Sequence, residues 1–413
     1  MSGQIYNVLD LFSGAGGMAE GFLQAGFKIP NACDFSAEAA LTYQNRHKQL
    51  GYSDLKFYQG DIKNLAKPKK LKEFLNGNEI SVVVGGPPCQ GFSLTGKRDE
   101  NDFRNFLFLE FLKIIKLVKP KYFVMENVEG ILSYKFSEFV GLSGRVYENH
   151  FVTQIIREEA YKIGYEVRFE QLNAKNYGVP QNRPRVIFFG HRIKKYKNKK
   201  VDLVSPPEFP GKKSEVITVY EAISDLSFLT NGKESDKYNE NFIVTNYQKQ
   251  LRQGITPNIN GQTIMAHSLK NHKAAKHQNR TERRFSLLKS GESIGELLKR
   301  LDKKQYKELK TKKYRCTKLH INDVAPTVLT LPDDIVHYEK GNSRILTVRE
   351  LARLQSFDDS FEFLGKRTTG GVRRKLETPQ YTQVGNAVPP LFARAIAIEI
   401  RKALIRTVNN SKK

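Results

Sequence analysis

The chain reads as an α/β protein on a doubly wound, mostly parallel sheet, with a smaller, basic domain attached. Three observations predict this. Short apolar, β-rich runs alternate with helix-period segments over the first 190 residues, and glycine or acidic residues follow nearly every run. After His191 the texture changes to lysine runs, Pro206-Pro207, Pro210-Gly211 and polar stretches of weak periodicity.

The predicted strands are Ile5 to Leu11, Phe27 to Ala32, Leu55 to Gln59, Ile80 to Val84, Tyr122 to Met125, Glu166 to Leu172 and Arg185 to Gly190. Helices fit between them at Gly17 to Ala25, Ala37 to Arg46 and Phe106 to Val118, the last stopped by Lys119-Pro120. Helical spacing returns at Thr347 to Gln355, and an amphipathic helix runs from Pro390 to about Leu404. The expected division is 1–192 for a ligand-binding and catalytic domain, 193–375 for a second, basic domain and hinge, and 376–413 for a segment returning to the first.

The formal charge of +25 attracts polyanions. Of this, +20 lies in residues 193–413, and 249–320 alone contributes +14. Charge alone is also what a solvated basic surface shows, so the chemistry must decide. No apolar run is long enough to span a bilayer, and the N-terminus lacks a charged, apolar and cleavable leader, so a cytoplasmic protein without a membrane partner is expected. Cys33, Cys89 and Cys316 lie far apart, with no Cys-x-x-Cys pair, which argues against disulfides and structural zinc; no metal is expected.

Parallel strands with right-handed crossovers gather the loops leaving their carboxyl ends on one edge, where ligands bind. Those loops are Asp10-Leu-Phe-Ser-Gly-Ala-Gly-Gly17, then Asp34, then Gly60-Asp61-Ile62, then Gly85-Gly-Pro-Pro-Cys-Gln-Gly-Phe-Ser93, then Glu126-Asn127-Val128. Gly14, Gly16 and Gly17 allow backbone to approach a ligand closely. Their spacing is not the Gly-x-Gly-x-x-Gly of dinucleotide sites, which weakens a dehydrogenase reading. Asp34 stands where a carboxylate can accept from both hydroxyls of a ribose, favouring an adenosine-containing cofactor.

A lone cysteine is usually a small core residue. Cys89 instead follows Pro87-Pro88 in a polar, glycine-rich loop at the ligand edge, which makes it a candidate nucleophile. Glu126 lies 37 residues on, the length of a loop, a helix and the next strand. It could cap the following helix or face the same pocket as the thiol. Arg183 and Arg185, in Gln181-Asn-Arg-Pro-Arg185, form either a solvated turn or a pair of guanidinium donors at that edge.

Taken in order, these motifs resemble the DNA (cytosine-5)-methyltransferase family, of the bacterial restriction-modification type, over nearly the whole chain. The most specific is Gly-Pro-Pro-Cys-Gln-Gly-Phe-Ser; Arg104-Asn-Phe-Leu-Phe108, Arg344-Ile-Leu-Thr-Val-Arg-Glu-Leu-Ala-Arg-Leu-Gln-Ser-Phe357 and Gln383-Val-Gly-Asn-Ala-Val-Pro-Pro390 complete the set. One departure is mild: the family's ribose acid is usually Glu, and here it is Asp34.

The resemblance implies a fold of the S-adenosylmethionine-dependent methyltransferase type, with S-adenosylmethionine as cofactor. Phe12, Gly14, Gly16, Gly17, Asp34, Asp61, Ile62, Pro88, Leu107, Asn386 and Val388 would line its site. Cys89 would add to carbon 6 of a flipped-out cytosine, Glu126 would bond its ring nitrogen 3 and amine, and Arg185, supported by Arg183, would hold its carbonyl. Ser93, Lys97, Arg98 and Arg104 would grip double-stranded DNA, Lys366 to Lys375 would add cationic contacts, and the region between Arg192 and about Arg344 would read the sequence. The implied setting is a monomer at the bacterial nucleoid, paired in function with a restriction endonuclease. Two rivals share the motifs: a methyltransferase acting on transfer RNA, and a non-catalytic DNA-binding relative.

Overall fold

The computed structural model describes residues 4–88, 102–196, 199–213, 215–369, 373 and 377–410. Its centre is an eight-stranded sheet of β1 (Asn7–Leu11), β2 (Lys28–Asp34), β3 (Lys56–Gln59), β4 (Val82–Gly85), β5 (Tyr122–Asn127), β8 (Tyr165–Asn173), β9 (Pro184–Tyr196) and β10 (Lys199–Asp202). Between β5 and β8 lies a separate hairpin, β6 (Lys135–Val140) and β7 (Val146–Phe151). Across the sheet the order is β10-β9-β5-β4-β1-β2-β3, with β8 also on β9.

Strands β1 to β5 are parallel. β1, β2, β4 and β5 are buried on both faces and read in sequence as mainly apolar runs, whereas β3, at the sheet edge, is only partly buried. Val82, Val84, Tyr122 and Val124 enter one core with α1 (Gly17–Gln24), α2 (Ala37–Gln49) and the helix Pro390–Asn410. Val83, Phe123 and Met125 enter the other, with residues of α4 (Pro68–Leu75), α5 (Leu107–Val118) and α6 (Val152–Lys162), α3 (Ile62–Leu65) adding Ile62 and Leu65. The result is a helix–sheet–helix sandwich. The helix Pro390–Asn410 is longer than its amphipathic pattern suggested, and its Ala393 packs so closely on α1 that a Cβ at Gly21 would lie 2.4 Å from it.

The sheet is mostly parallel, as expected, and its antiparallel pairings all involve β9. β9 is antiparallel to β5, and β8 and β10 are antiparallel to β9. Apolar runs look alike in either direction, so composition carries no sign of the reversal. Its consequence is functional: an antiparallel strand begins where its neighbour ends. Asn127 pairs with Val186, so Arg185 emerges at the carboxyl edge of the parallel strands rather than at the opposite one. The hairpin β6–β7 and the helix α6 were not anticipated. The hairpin is held by an aromatic cluster, Phe136 and Phe139 against Phe106 and Phe108.

β9 continues past residue 192 to Tyr196 and pairs with β10, so the sheet runs through the change in sequence texture. Beyond it, a third apolar cluster joins Val219, Ile223 and Leu251 to Leu346, Leu351, Phe357 and Tyr381, and a fourth gathers Phe285, Leu288, Ile294, Leu297 and Cys316. The third cluster includes Ala15 of the first loop, which ties it to the sheet edge. No helix among the described residues is long and apolar enough to cross a membrane.

Candidate active site

The chain leaves β1 in the middle of the sheet, fills one side with β2 and β3, then returns to place β4 and β5 on the other. That reversal makes a crevice between β1 and β4. Leu11 and Gly85 are register partners, so the loops after β1 and β4 leave side by side.

The first loop turns sharply. Phe12 and Gly14 have φ of 54° and 53°, and Gly16 has 102° just before α1. A Cβ at Gly14 would meet nothing within 4 Å, whereas one at Gly17 would lie 2.2 Å from the Val388 carbonyl oxygen. Gly14 therefore borders open space, and the turn carrying Asn386 and Val388 rests on the start of α1. Asp34, at the end of β2, ties the loop after β1 to its own: its Oδ2 accepts from the Gly14 amide at 2.8 Å and its Oδ1 from the Ser36 amide at 2.8 Å. The carboxylate keeps lone-pair capacity for a ligand beyond these amides. Burial pushes the Asp34 carboxyl up, against the pull of the Ser36, Gly14 and Phe35 amides.

Next in order, Asp61 caps α3 by accepting from the Lys63 amide at 2.9 Å and remains exposed, while Ile62 is buried. Ile62, Leu107 and the half-buried Phe12 belong to one apolar cluster with Leu11. Pro88 is half-buried, and the preceding Pro87 carbonyl accepts from Asn127 at 3.3 Å, linking the loop after β4 to the end of β5. Asn386 is exposed and Val388 buried. The structure thus gathers the expected cofactor-lining residues along one edge. Cys89, Ser93, Lys97 and Arg98 lie outside the described residues. Arg104 is engaged with its neighbour Asp102, through Nε at 2.8 Å and Nη2 at 2.5 Å, with its side chain about a third exposed.

Beside the approach to Cys89, Arg185 Nε meets Glu126 Oε1 at 2.8 Å, both side chains being nearly buried. Arg185 Nη1 donates to the Pro184 carbonyl at 2.7 Å. Among the described residues Arg185 Nη2 and Glu126 Oε2 carry no bond. Glu126 Oε2 lies 3.2 Å from where a Cβ of Gly86 would stand, so it faces the loop that leads to Cys89.

Arg183, expected to support Arg185, meets backbone carbonyls. It is 2% exposed and donates to the carbonyls of Val328 at 3.0 Å, Gly385 at 2.8 Å and Ala387 at 3.0 Å. Those bonds commit its guanidinium to backbone carbonyls of two other segments. Gln355 joins the same network, donating to Val384 and Ala387 carbonyls at 2.6 and 3.3 Å and accepting from Gln181 at 2.9 Å. Sequence reasoning quoted Gln355 only as part of a motif and missed 325–328 altogether, where Ala325 bridges Gln181. Polar residues inside an apolar helix pattern were the available signal. Asp10, also quoted without a role, is buried and accepts from Tyr43 at 3.1 Å; burial pushes its carboxyl up to about 8.

With this geometry in place, comparison with known proteins identifies the family. The family model for C-5 cytosine-specific DNA methylases matches residues 6–402. The chain belongs to that family. It is 35% identical to the type II methyltransferase M.DdeI of Desulfomicrobium norvegicum, over 95% of this chain and 88% of that protein. It is 32% identical to the type II methyltransferase M1.HphI of Haemophilus parahaemolyticus, over 95% and 86%. In fold it is similar to a crystal structure described as a prophage-encoded DNA modification methyltransferase from E. coli, with a TM-score of 0.66, 23% identity and coverage of 97% and 99%. The protein is a DNA cytosine-5 methyltransferase of restriction-modification type. Family and fold imply S-adenosylmethionine as the methyl donor. Among the described residues no group of three or more His, Cys, Asp or Glu is placed to hold a metal ion.

Proposed function

We propose that this methyltransferase uses Cys89 to activate a cytosine flipped out of a specific double-stranded DNA sequence, and places the methyl group of S-adenosylmethionine on carbon 5. The observation that carries this reading is the fixed Glu126–Arg185 pair with Oε2 and Nη2 left over. A free acceptor and a free donor, side by side at the crevice, match the edge of cytosine, which presents an amine, a ring nitrogen and a carbonyl oxygen.

The cofactor site fits its ligand on three counts. Gly14 faces open space, Asp34 keeps lone pairs for ribose hydroxyls, and the buried Ser13 hydroxyl has no partner among the described residues. When bound there, S-adenosylmethionine supplies an electrophilic methyl group. The chain's own residues do the rest. Cys89 Sγ forms a bond to carbon 6, and the π pair of the 5,6 double bond moves toward carbon 5. Glu126 holds the amine and shares a proton with ring nitrogen 3, offsetting the negative charge the thiolate brings. Arg185 Nη2 holds the carbonyl oxygen. Once carbon 5 carries the methyl group, its hydrogen leaves as a proton, the Cys89 bond to carbon 6 breaks, and the double bond re-forms.

Base flipping costs a few kcal/mol, which DNA contacts must offset. Ser93, Lys97, Arg98 and Arg104 are assigned to that grip, the basic region between residues 193 and 343 to sequence readout. We extend the reading to protection of host DNA beside a cognate endonuclease, in keeping with the type II names of the relatives, by a chain acting as a cytoplasmic monomer.

A duplex carrying 5-fluorocytosine at the target tests the mechanism, because fluorine cannot leave as a cation and the adduct persists. With S-adenosylmethionine present, a covalent protein–DNA band should survive denaturing gels. Cys89→Ser should abolish both adduct and methylation while leaving duplex binding largely intact. Near-normal turnover by Cys89→Ser would overturn the assignment.

A further inference from the structure

The side chains that would hold cytosine and the turn that would border the cofactor are separate in sequence by about two hundred residues, yet one buried polar bridge joins them. On the cytosine side it starts at Gln181 and Arg183, immediately before Arg185. Gln181 is fully buried, donating to the Leu354 carbonyl at 3.1 Å and to Gln355 Oε1 at 2.9 Å while its own Oε1 accepts from the Val328 amide at 2.9 Å. On the cofactor side, the carbonyls of Val384, Gly385 and Ala387 are all taken by Gln355 and Arg183, and Ala387 is shared by both. The next residue, Val388, is the one whose carbonyl presses on Gly17 at the start of α1.

Gln355 is the centre of this bridge. It is 0% exposed, and its carboxamide is engaged at both ends: the amide nitrogen donates to two carbonyls of the cofactor-side turn and the oxygen accepts from the cytosine-side glutamine. Donor and acceptor sit on one rigid amide plane, so a shift of the 384–388 turn must drag Gln181 with it or break a hydrogen bond in a site that water does not reach. Such a break costs about 1–3 kcal/mol. A side chain needed only to fill space here would be apolar.

We infer that Gln355 is a positioning residue that couples the two pockets, so that filling the cofactor crevice improves the hold on the flipped base, and DNA in turn improves the hold on cofactor. The inference rests on the cofactor and base pockets proposed above. Coupling is reciprocal by thermodynamic necessity, so one binding ratio measures it from either side.

The experiment uses the full chain, S-adenosylhomocysteine as the cofactor-site probe and a duplex containing the methylated sequence. The duplex Kd is measured with and without saturating S-adenosylhomocysteine in wild type, in Gln355→Met, which keeps length and loses every hydrogen bond, and in Gln181→Met, which cuts the same bridge from the other end. In wild type S-adenosylhomocysteine should tighten the duplex at least about fivefold, the lower end of usual coupling. Either variant should reduce that factor to below about twofold, and the double variant should lose no more than the worse single one, since both cut one link. In steady state the KM for S-adenosylmethionine should rise more than kcat falls. Wild-type coupling retained in both folded variants, or no coupling in wild type, overturns the inference. Failure of wild type to bind S-adenosylhomocysteine at all would instead overturn the cofactor reading beneath it. If Gln355→Met does not fold, Gln181→Met decides alone.

Discussion

Two stretches of this methyltransferase are equally dense in recognisable residues and are used in opposite ways. The loops after β1, β4 and β5 carry groups left partly unsatisfied: Gly14 facing space, Glu126 Oε2 and Arg185 Nη2 without bonds among the described residues. The stretch from Arg344 to Asp359 carries six charged side chains in fully buried positions, and each is matched, Arg349 with Asp359 at 3.8 Å. Arg344 pairs with Glu350 at 2.7 Å, and Arg353 with Asp225 at 2.5 Å and Asp359 at 2.6 Å. Asp358 pairs with Arg46 of α2 at 3.2 Å, and Arg46 with Glu20 of α1 at 3.0 Å. A buried charge with its partner already in place has nothing left for substrate, whereas an unsatisfied group at a crevice does. Arg183 and Arg185 repeat the contrast within three residues.

The sharpest way to break this comparison is to remove one arginine from each stretch. Arg185→Met should lower kcat by on the order of 10²–10³, as loss of a donor to a developing charge does, with little change in stability. Arg353→Met should leave methylation per folded molecule near wild type but destabilise the protein by about 3–5 kcal/mol, because Asp225 and Asp359 lose a buried partner. Urea midpoints and single-turnover rates of the two variants check both halves; a crossed result, with Arg353→Met inactive but stable, would show that the buried stretch takes part in chemistry.

A smaller effect tests the seam between the stretches. Gly17→Ala puts a methyl group 2.2 Å from the Val388 carbonyl oxygen, so the turn bearing Asn386 and Val388 must move away from α1. S-adenosylhomocysteine affinity, read by calorimetry, should fall about tenfold or more, corresponding to roughly 1.4 kcal/mol. Unchanged affinity would show that this turn does not border the cofactor.

The smallest effect per group is electrostatic. Burial pushes His47 and His272 down to about 4 and His337 down to about 3, from an ordinary value near 6.5. Between those values the unfolded chain binds protons that the fold refuses, so stability falls as pH drops from about 6.5 toward 4. Asp10, pushed up to about 8, and Asp358, pushed up to about 6, act the other way, since the fold keeps protons that the unfolded carboxylates release. Burial also pushes His277 down and Asp34 up, so four imidazoles stand against three carboxyls and leave a net loss on the order of 1 kcal/mol per pH unit. The urea midpoint should therefore be lower at pH 5 than at pH 6.5. A higher midpoint at pH 5 would mean that the carboxyls dominate.

Much of this was legible in the residues. The central parallel strands follow from apolar runs of strand length, because a strand covered on both faces needs apolar side chains at nearly every position. The contents of the crevice follow from the rule that loops leaving parallel strands share an edge, which is how Gly14, Asp34 and Glu126 were placed together before any distance was known. What tertiary structure alone decided is direction and partnership. Hydropathy has no arrow, so only the ladder between β5 and β9 shows that Arg185 starts an antiparallel strand and so reaches Glu126. An arginine has the same side chain whether it faces a substrate or three carbonyls. Arg183 and Arg185 were therefore indistinguishable in sequence, and what separates them is which groups from residues 328, 385 and 387 the fold brings within 3 Å of one and not the other.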